Sequence, residues 1–107
     1  MSTTPVNMST FPTDKVVHHN NICEELIDLY ARKNADYGDS FGKSFAEYGL
    51  LMPCLRLEDK LNRMKSLAKN PAQVRDESLR DTLMDLANYA IMTIIELERR
   101  ERGIVAK

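Results

Sequence analysis

A long run of apolar residues at helical spacing, near the C-terminus, constrains this chain more than any other feature. The run starts at Leu79, ends at Gly103 and keeps spacings of three or four residues through Leu83, Leu86, Ala90, Ile94 and Leu97. It predicts a helix of about 27 residues, which would be about 40 Å long. A compact domain of this size has a radius of gyration of only about 13 Å. We therefore expect the helix to project, or to be covered by a partner subunit.

Two shorter helices are predicted before it. Asn21 and Glu24 resemble a capping box that opens helix one, over roughly residues 22 to 34. Pro53 suits the first turn of helix two, over roughly residues 52 to 69. Its apolar stripe is Leu57, Leu61, Met64 and Ala68.

The start of the third helix is open by about one turn, because Asn70 and Asp76 are both suitable N-caps. Residues 1 to 19 are rich in Ser, Thr and Pro without sustained periodicity, which predicts an extended N-terminal arm. Alternating strands and internal repeats are missing from the sequence. The expected architecture is all-α, with residues 20 to 107 as one small helical bundle ending in the long helix.

Composition narrows the function. The 107 residues allow one domain, and a small core of this kind would gain stability from self-association, so we expect a homo-oligomer, a dimer or a tetramer. The net charge of −1, with acids and bases interspersed, argues against binding a nucleic acid polymer. No apolar segment approaches the ~20 residues of a membrane span, and we expect a cytoplasmic protein whose cysteines are reduced.

One face of the third helix is acidic. Asp81, Asp85 and Asn88 lie nearly opposite the leucine stripe, and the face continues through Met92 and Ile95. Because this helix is apolar on both sides, we expect both faces to be covered. Carboxylates at the edge of a buried surface need compensation.

A divalent cation, Mg²⁺ or Mn²⁺, is one such compensation, with helix two supplying further oxygen ligands. The candidate ligands are Glu58, Asp59, Asn62, Asp81 and Asp85. Salt bridges from Arg80, Lys60 or Arg63 are the alternative.

Three stretches in order carry a family resemblance: "KNADYGDSF", "RLEDKLNRMKSL" and "DESLRDTLMDLANYAIM". Together they resemble the phage and bacterial nucleotide modification associated domain family, first class, over about residues 22 to 98. That family is similar to the MazG-like all-α nucleoside triphosphate pyrophosphohydrolases. These enzymes are characterised by an EExxE helix and an ExxD helix whose acids hold Mg²⁺. The first would fall here on Glu58, Asp59 and Asn62, and the second on Asp81 and Asp85.

The resemblance implies hydrolysis of a nucleoside or deoxynucleoside triphosphate to the monophosphate and pyrophosphate in phage nucleotide metabolism. Glu58, Asp81 and Asp85 would be the catalytic acids. Lys60 and Arg63 could neutralise phosphate charge or pair with the acids. Asn88 shares the acidic face and is a further candidate substrate contact.

The stretch "KNADYGDSFGKSF", residues 33 to 45, is predicted to be a structured loop, with a helical turn at residues 44 to 48. Tyr37 or Phe41 could stack on a base, and Asp39 or Ser40 could hydrogen-bond a base or sugar. Alternatively, Tyr37, Phe41 and Phe45 cap the bundle core. We expect a mixture, with aromatics that mainly pack and with Asp39 and Ser40 as the nucleotide contacts.

Two other functions fit the same sequence. The bundle could bind and sequester a nucleotide without turning it over, which the amide at Asn62 and the hydroxyl at Thr82 favour. It could also be a helical protein-interaction module that uses its last helix.

Overall fold

The computed structural model describes residues 13 to 69 and 76 to 103, and within these ranges it consists of four helices and no strand. They are α1 (Thr13–Tyr37), α2 (Ser40–Tyr48), α3 (Leu51–Lys69) and α4 (Asp76–Glu101). The all-α prediction is confirmed. The chain divides into two compact units, residues 1 to 33 and residues 34 to 107. Among the helices so described, none has the length and apolar character needed to cross a membrane.

Helix α1 is longer than predicted at both ends. Residues 13 to 19, expected in an extended arm, are helical, so that prediction is wrong for them, and residues 1 to 12 lie outside the described ranges. Adding residues to an existing helix costs far less than nucleating one, and Asp14 in the first turn complements the helix dipole. The helix therefore extends through a segment whose own pattern is weak.

The predicted loop at residues 33 to 45 is also mostly helical. Only Gly38 and Asp39 interrupt the helix, and both have left-handed backbone angles, with φ of 58° and 57°. The Asp39 N–H donates to the Asn34 carbonyl at 3.3 Å, and the Asp39 carbonyl accepts from the Lys43 N–H at 3.2 Å. Two residues thus end α1 and begin α2. The prediction of a loop failed because Gly42 lies inside α2 rather than in a turn.

The bounds predicted for the other helices are confirmed. Helix α3 begins at Leu51, and Pro53 is buried in its first turn, where a missing N–H costs nothing. Helix α4 begins at Asp76, the second of the two predicted starts, while Asn70 lies outside the described ranges. At its other end Gly103, with φ of 75°, donates its N–H to the Arg100 carbonyl at 3.0 Å.

The core of the second unit lies where α2 packs on α3 and α4. Phe41, Phe45 and Met52 are buried together, and Tyr89 and Met92 of α4 pack against them. The Phe41 and Tyr89 rings stack, with centroids 6.0 Å apart and planes 24° from parallel. The Arg100 guanidinium lies over the Phe45 ring, 4.9 Å from its centroid. These contacts determine which face of α4 points inward.

The leucine stripe of α4 consequently points away from this core. Leu83, Ile94 and Leu97 are exposed in the chain, as is Ala90 between them. Within one chain, only one of the two faces expected to be covered is packed. The packed face is the one that carries Asp85, Tyr89 and Met92.

Replacing Phe45 by Ala should test the core directly. Its side chain is 2% exposed, so Phe45→Ala should lower the free energy of unfolding by about 3 to 5 kcal/mol. Urea denaturation followed by circular dichroism measures the change. Tyr48→Ala, at the exposed end of the same helix, is the matched control and should change stability by less than about 0.5 kcal/mol. Equal losses for both variants would contradict this core.

Candidate functional site

Two polar groups lie on the packed face of α4, one on either side of the core. Asp85, Tyr89, Met92 and Glu96 follow one another at spacings of four, three and four residues, which places them on one face. Asp85 and Glu96 are eleven residues apart, or about 16 Å along the helix. Tyr89 and Met92, between them, pack on the core. The polar residues of this face therefore lie in two separate places, one at Asp85 and one at Glu96.

The first group is an ion pair between α3 and α4. The Lys60 Nζ lies 2.9 Å from the Asp85 Oδ2, and the two side chains are 28% and 23% exposed. At this separation the ammonium compensates the half-buried carboxylate without a metal ion. For Lys60 and Asp85, the salt-bridge alternative is what the structure contains.

The other predicted ligands do not join this pair. Glu58 and Asn62 lie on α3 about 160° around the helix from Lys60, and both are exposed. Asp59, Asp81 and Arg63 are also exposed, whereas Asn88 is half-buried. In the ranges 13 to 69 and 76 to 103, no three or more His, Cys, Asp or Glu side chains form a group that could hold a metal ion. The five proposed ligands are thus not gathered by one chain, and Mg²⁺ binding stays a prediction.

The second group is at the corner between α1 and α2. Asp39 is half-buried, and its carboxylate lies against Gly42. A Cβ at position 42 would be 2.6 Å from the Asp39 Oδ2, so only glycine leaves room for the carboxylate there. The Asp39 side chain makes no capping hydrogen bond to α2. The left-handed backbone at Asp39 and the missing side chain of Gly42 thus leave space for this carboxylate.

Glu96 of α4 lies near enough to Asp39 for the two carboxyl groups to interact electrostatically. Burial raises the pKa of Glu96, and the negative charge of Asp39 raises it further, whereas Arg99 acts in the opposite direction. Glu96 was not among the site residues predicted from the sequence. The signal was available, since Glu96 continues the spacing of Asp85, Tyr89 and Met92 along one face.

The three aromatic side chains between positions 33 and 45 differ in burial. Phe41 and Phe45 are buried, which confirms the packing interpretation for these two. Tyr37 is 66% exposed, so for this residue the expectation of packing is wrong. The break at Gly38 and Asp39 separates Tyr37 from the helix that carries the two phenylalanines. Ser40, which follows the break, is also exposed.

Comparison with known families places these groups in context. The model of the Nucleotide modification associated domain 1 family matches residues 33 to 97. The chain belongs to this family. The match begins just before the corner, spans α2 and α3 and reaches Leu97 of α4, so it includes both polar groups. A search of curated proteins and a search of solved structures found no significant match. The further similarity to MazG-like enzymes stays a prediction.

The ion pair between Lys60 and Asp85 should be measurable by a double-mutant cycle. The variants Lys60→Met and Asp85→Asn should show a coupling energy of about 1 kcal/mol, because a half-buried pair lies at the upper end of the range for exposed pairs. Unfolding in urea at low and high salt measures it, and added salt should reduce it. Lys65→Met, at an exposed lysine of the same helix, should be additive with Asp85→Asn. Additivity of Lys60→Met would contradict the ion pair.

The raised pKa of Glu96 predicts that the free energy of unfolding depends on pH. A raised pKa in the folded state means that folded protein binds the proton more tightly than unfolded chain does. The resulting stability is present below the ordinary pKa of 4.5 and is lost as pH rises through the folded-state pKa. Glu96→Gln should therefore be more stable than wild type at pH 7, with a smaller difference at pH 4.

Glu98→Gln, at an exposed glutamate of the same helix, is the control for Glu96→Gln and should show no such gain. Denaturation curves at the two pH values decide the matter. A Glu96→Gln variant that is less stable than wild type at pH 7 would show that the charged carboxylate stabilises the corner.

Proposed function

We propose that this protein acts in nucleotide metabolism. It binds a nucleoside or deoxynucleoside triphosphate at the corner between α1 and α2. The observation that supports the proposal is the position of Asp39, the N-cap residue of α2, whose carboxylate lies against Gly42 and makes no side-chain capping hydrogen bond. The corner belongs to the part of the chain that matches the nucleotide modification associated family. Phage nucleotide metabolism is the setting that the sequence resemblance suggests.

The chemistry of the corner suits a nucleoside. The exposed ring of Tyr37 offers a stacking surface for a base. The Asp39 carboxylate can accept hydrogen bonds from a base amino group or a ribose hydroxyl, and the Ser40 hydroxyl can donate or accept. A phosphate would be repelled by the carboxylates of Asp39 and Glu96, so the base or sugar is the part that we place there.

The phosphates require positive charge, and Lys60 and Arg63 were the residues predicted from the sequence to supply it. Lys60 is paired with Asp85, and Arg63 is exposed on the same helix. Asp85, the partner of Lys60, is eleven residues from Glu96 along α4, and Asn88 is three residues from Asp85. Arg99 is close enough to Glu96 to lower the pKa of that carboxyl, so it is a candidate phosphate contact nearer the corner.

Hydrolysis of the bound nucleotide is a more specific proposal than binding alone. In that reaction water and a triphosphate give the monophosphate and pyrophosphate, and Glu58, Asp81 and Asp85 are the acids that the resemblance assigns to it. Since one chain does not gather these acids, binding without turnover is the function that the described geometry favours. Mg²⁺ or Mn²⁺ would be the expected cofactor of that reaction. A purely protein-binding module is the remaining alternative.

The nucleotide proposal is tested by titrating each common ribonucleoside and deoxynucleoside triphosphate into the protein in a calorimeter, with and without Mg²⁺. Asp39→Asn should weaken binding of the preferred nucleotide at least about tenfold, because a charged hydrogen bond is lost. Gly42→Ala should weaken it similarly, since the added Cβ displaces the same carboxylate. Glu47→Gln, at an exposed acid of α2, should bind like wild type.

Absence of nucleotide binding at millimolar concentration would overturn the proposal and leave the protein-binding module. Equal affinities for wild type, Asp39→Asn and Gly42→Ala would move the site away from the corner. Pyrophosphate release, measured with the same nucleotides, separates hydrolysis from binding alone. If release occurs, Asp85→Asn should abolish it while the folded protein remains, as judged by circular dichroism.

A further inference from the structure

We propose that the exposed stripe of α4 is the surface on which a second copy of this chain docks, with the two α4 helices antiparallel about Ala90. The stripe is the set Leu83, Leu86, Ala90, Ile94 and Leu97, of which Leu86 is half-buried and the other four are exposed. This inference rests on the self-association expected of the protein, and it does not depend on nucleotide binding. Its occupant, orientation and register all follow from the pattern of α4.

The stripe reads alike in both directions from Ala90. Leu86 and Ile94 each lie four residues from Ala90, and Leu83 and Leu97 each lie seven residues from it. A two-fold dimer uses one patch twice, so that if one residue contacts another, the reverse contact is also made. Antiparallel pairing about Ala90 therefore places Leu83 opposite Leu97 of the partner subunit, and Leu86 opposite Ile94 of the partner subunit.

The middle of the stripe suits close approach of two helices. Ala90 carries only a methyl group, and the interaxial distance of packed helices falls with the size of the side chains at the contact. The residues on either side of the centre are large and apolar. Ile94, which is 54% exposed, has as much to gain from being covered as any apolar residue of α4.

Charges at one edge of the stripe fit the same arrangement. Arg80 and Glu98 lie on the same flank of α4, each about 80° around the helix from Ala90, and both are exposed. They are ten and eight residues from Ala90 in opposite directions. In the antiparallel pair, Arg80 lies beside Glu98 of the partner subunit, offset by about 3 Å along the axis. The dimer thus has apolar pairs on both sides of Ala90 and two copies of one ion pair.

The covering of the stripe is tested by the mass of the full-length protein in nucleotide-free buffer, measured by sedimentation equilibrium. Wild type should have twice the chain mass of 12.3 kDa. Ile94→Glu should raise the dissociation constant of the dimer at least about a hundredfold, because it places a charge in the apolar centre. Leu55→Glu, at an α3 residue that is 52% exposed, is the matched control and should remain dimeric.

A monomeric wild type at all concentrations, or an Ile94→Glu variant that dimerises like wild type, would overturn the proposal. Because no nucleotide is present, these outcomes are independent of whether the corner binds one. If Ile94→Glu proves unfolded by circular dichroism, Glu98→Arg replaces it. That exposed change should weaken the dimer, and the added change Arg80→Glu should restore it.

Disulfide trapping tests the antiparallel register. In a background where Cys23 and Cys54 are serine, one preparation carries Leu83→Cys and another carries Leu97→Cys. Mixing the two under mild oxidation should give a cross-linked dimer, whereas each alone should not, because identical positions are about 21 Å apart along the axis. Cross-linking of each preparation alone, without a gain on mixing, would overturn the antiparallel arrangement.

Discussion

The packing of Phe41 and Phe45 against Tyr89 and Met92 is the contact on which the rest of the second unit depends. Helix α4 has apolar residues all round its second half, so its own sequence leaves its rotation about the axis open. Two phenylalanines on the short α2 select one side of it. Once Tyr89 and Met92 face inward, Asp85 must face α3 and Glu96 must face the corner at Asp39, since all four lie on one face.

The two polar groups follow from that rotation. Asp85 meets Lys60, and the pair stabilises a carboxylate that would otherwise be costly to bury. Glu96 comes close to Asp39, and burial together with like charge raises its pKa. The Asp85 carboxylate is compensated by Lys60 within the chain, whereas the pKa of Glu96 is raised, and raised pKa values are common at binding sites. For this reason the proposal places the nucleotide at the corner rather than at the ion pair.

Much of the fold could be predicted from the sequence, because the apolar periodicity of α3 and α4 is long and uninterrupted. The corner could not, since glycine and aspartate within a few residues also indicate a loop, and nothing local distinguishes a two-residue break from a longer one. The inward face of α4 could not be predicted either, because the helix carries two apolar stripes, one of leucines and one with Tyr89 and Met92. That choice is made by residues distant in sequence. The same ambiguity explains why Glu96 was missed.

The rotation of α4 is most directly tested by nuclear Overhauser effects between side chains in solution, with isotope filtering to select contacts within one chain. The account predicts effects from the Met92 methyl group to the rings of Phe41 and Phe45, together with effects between the rings of Phe41 and Tyr89. Intrachain effects from the methyl groups of Leu83, Ile94 or Leu97 to those phenylalanines would contradict it. They would mean that α4 is turned by about half a revolution, with the leucine stripe inside.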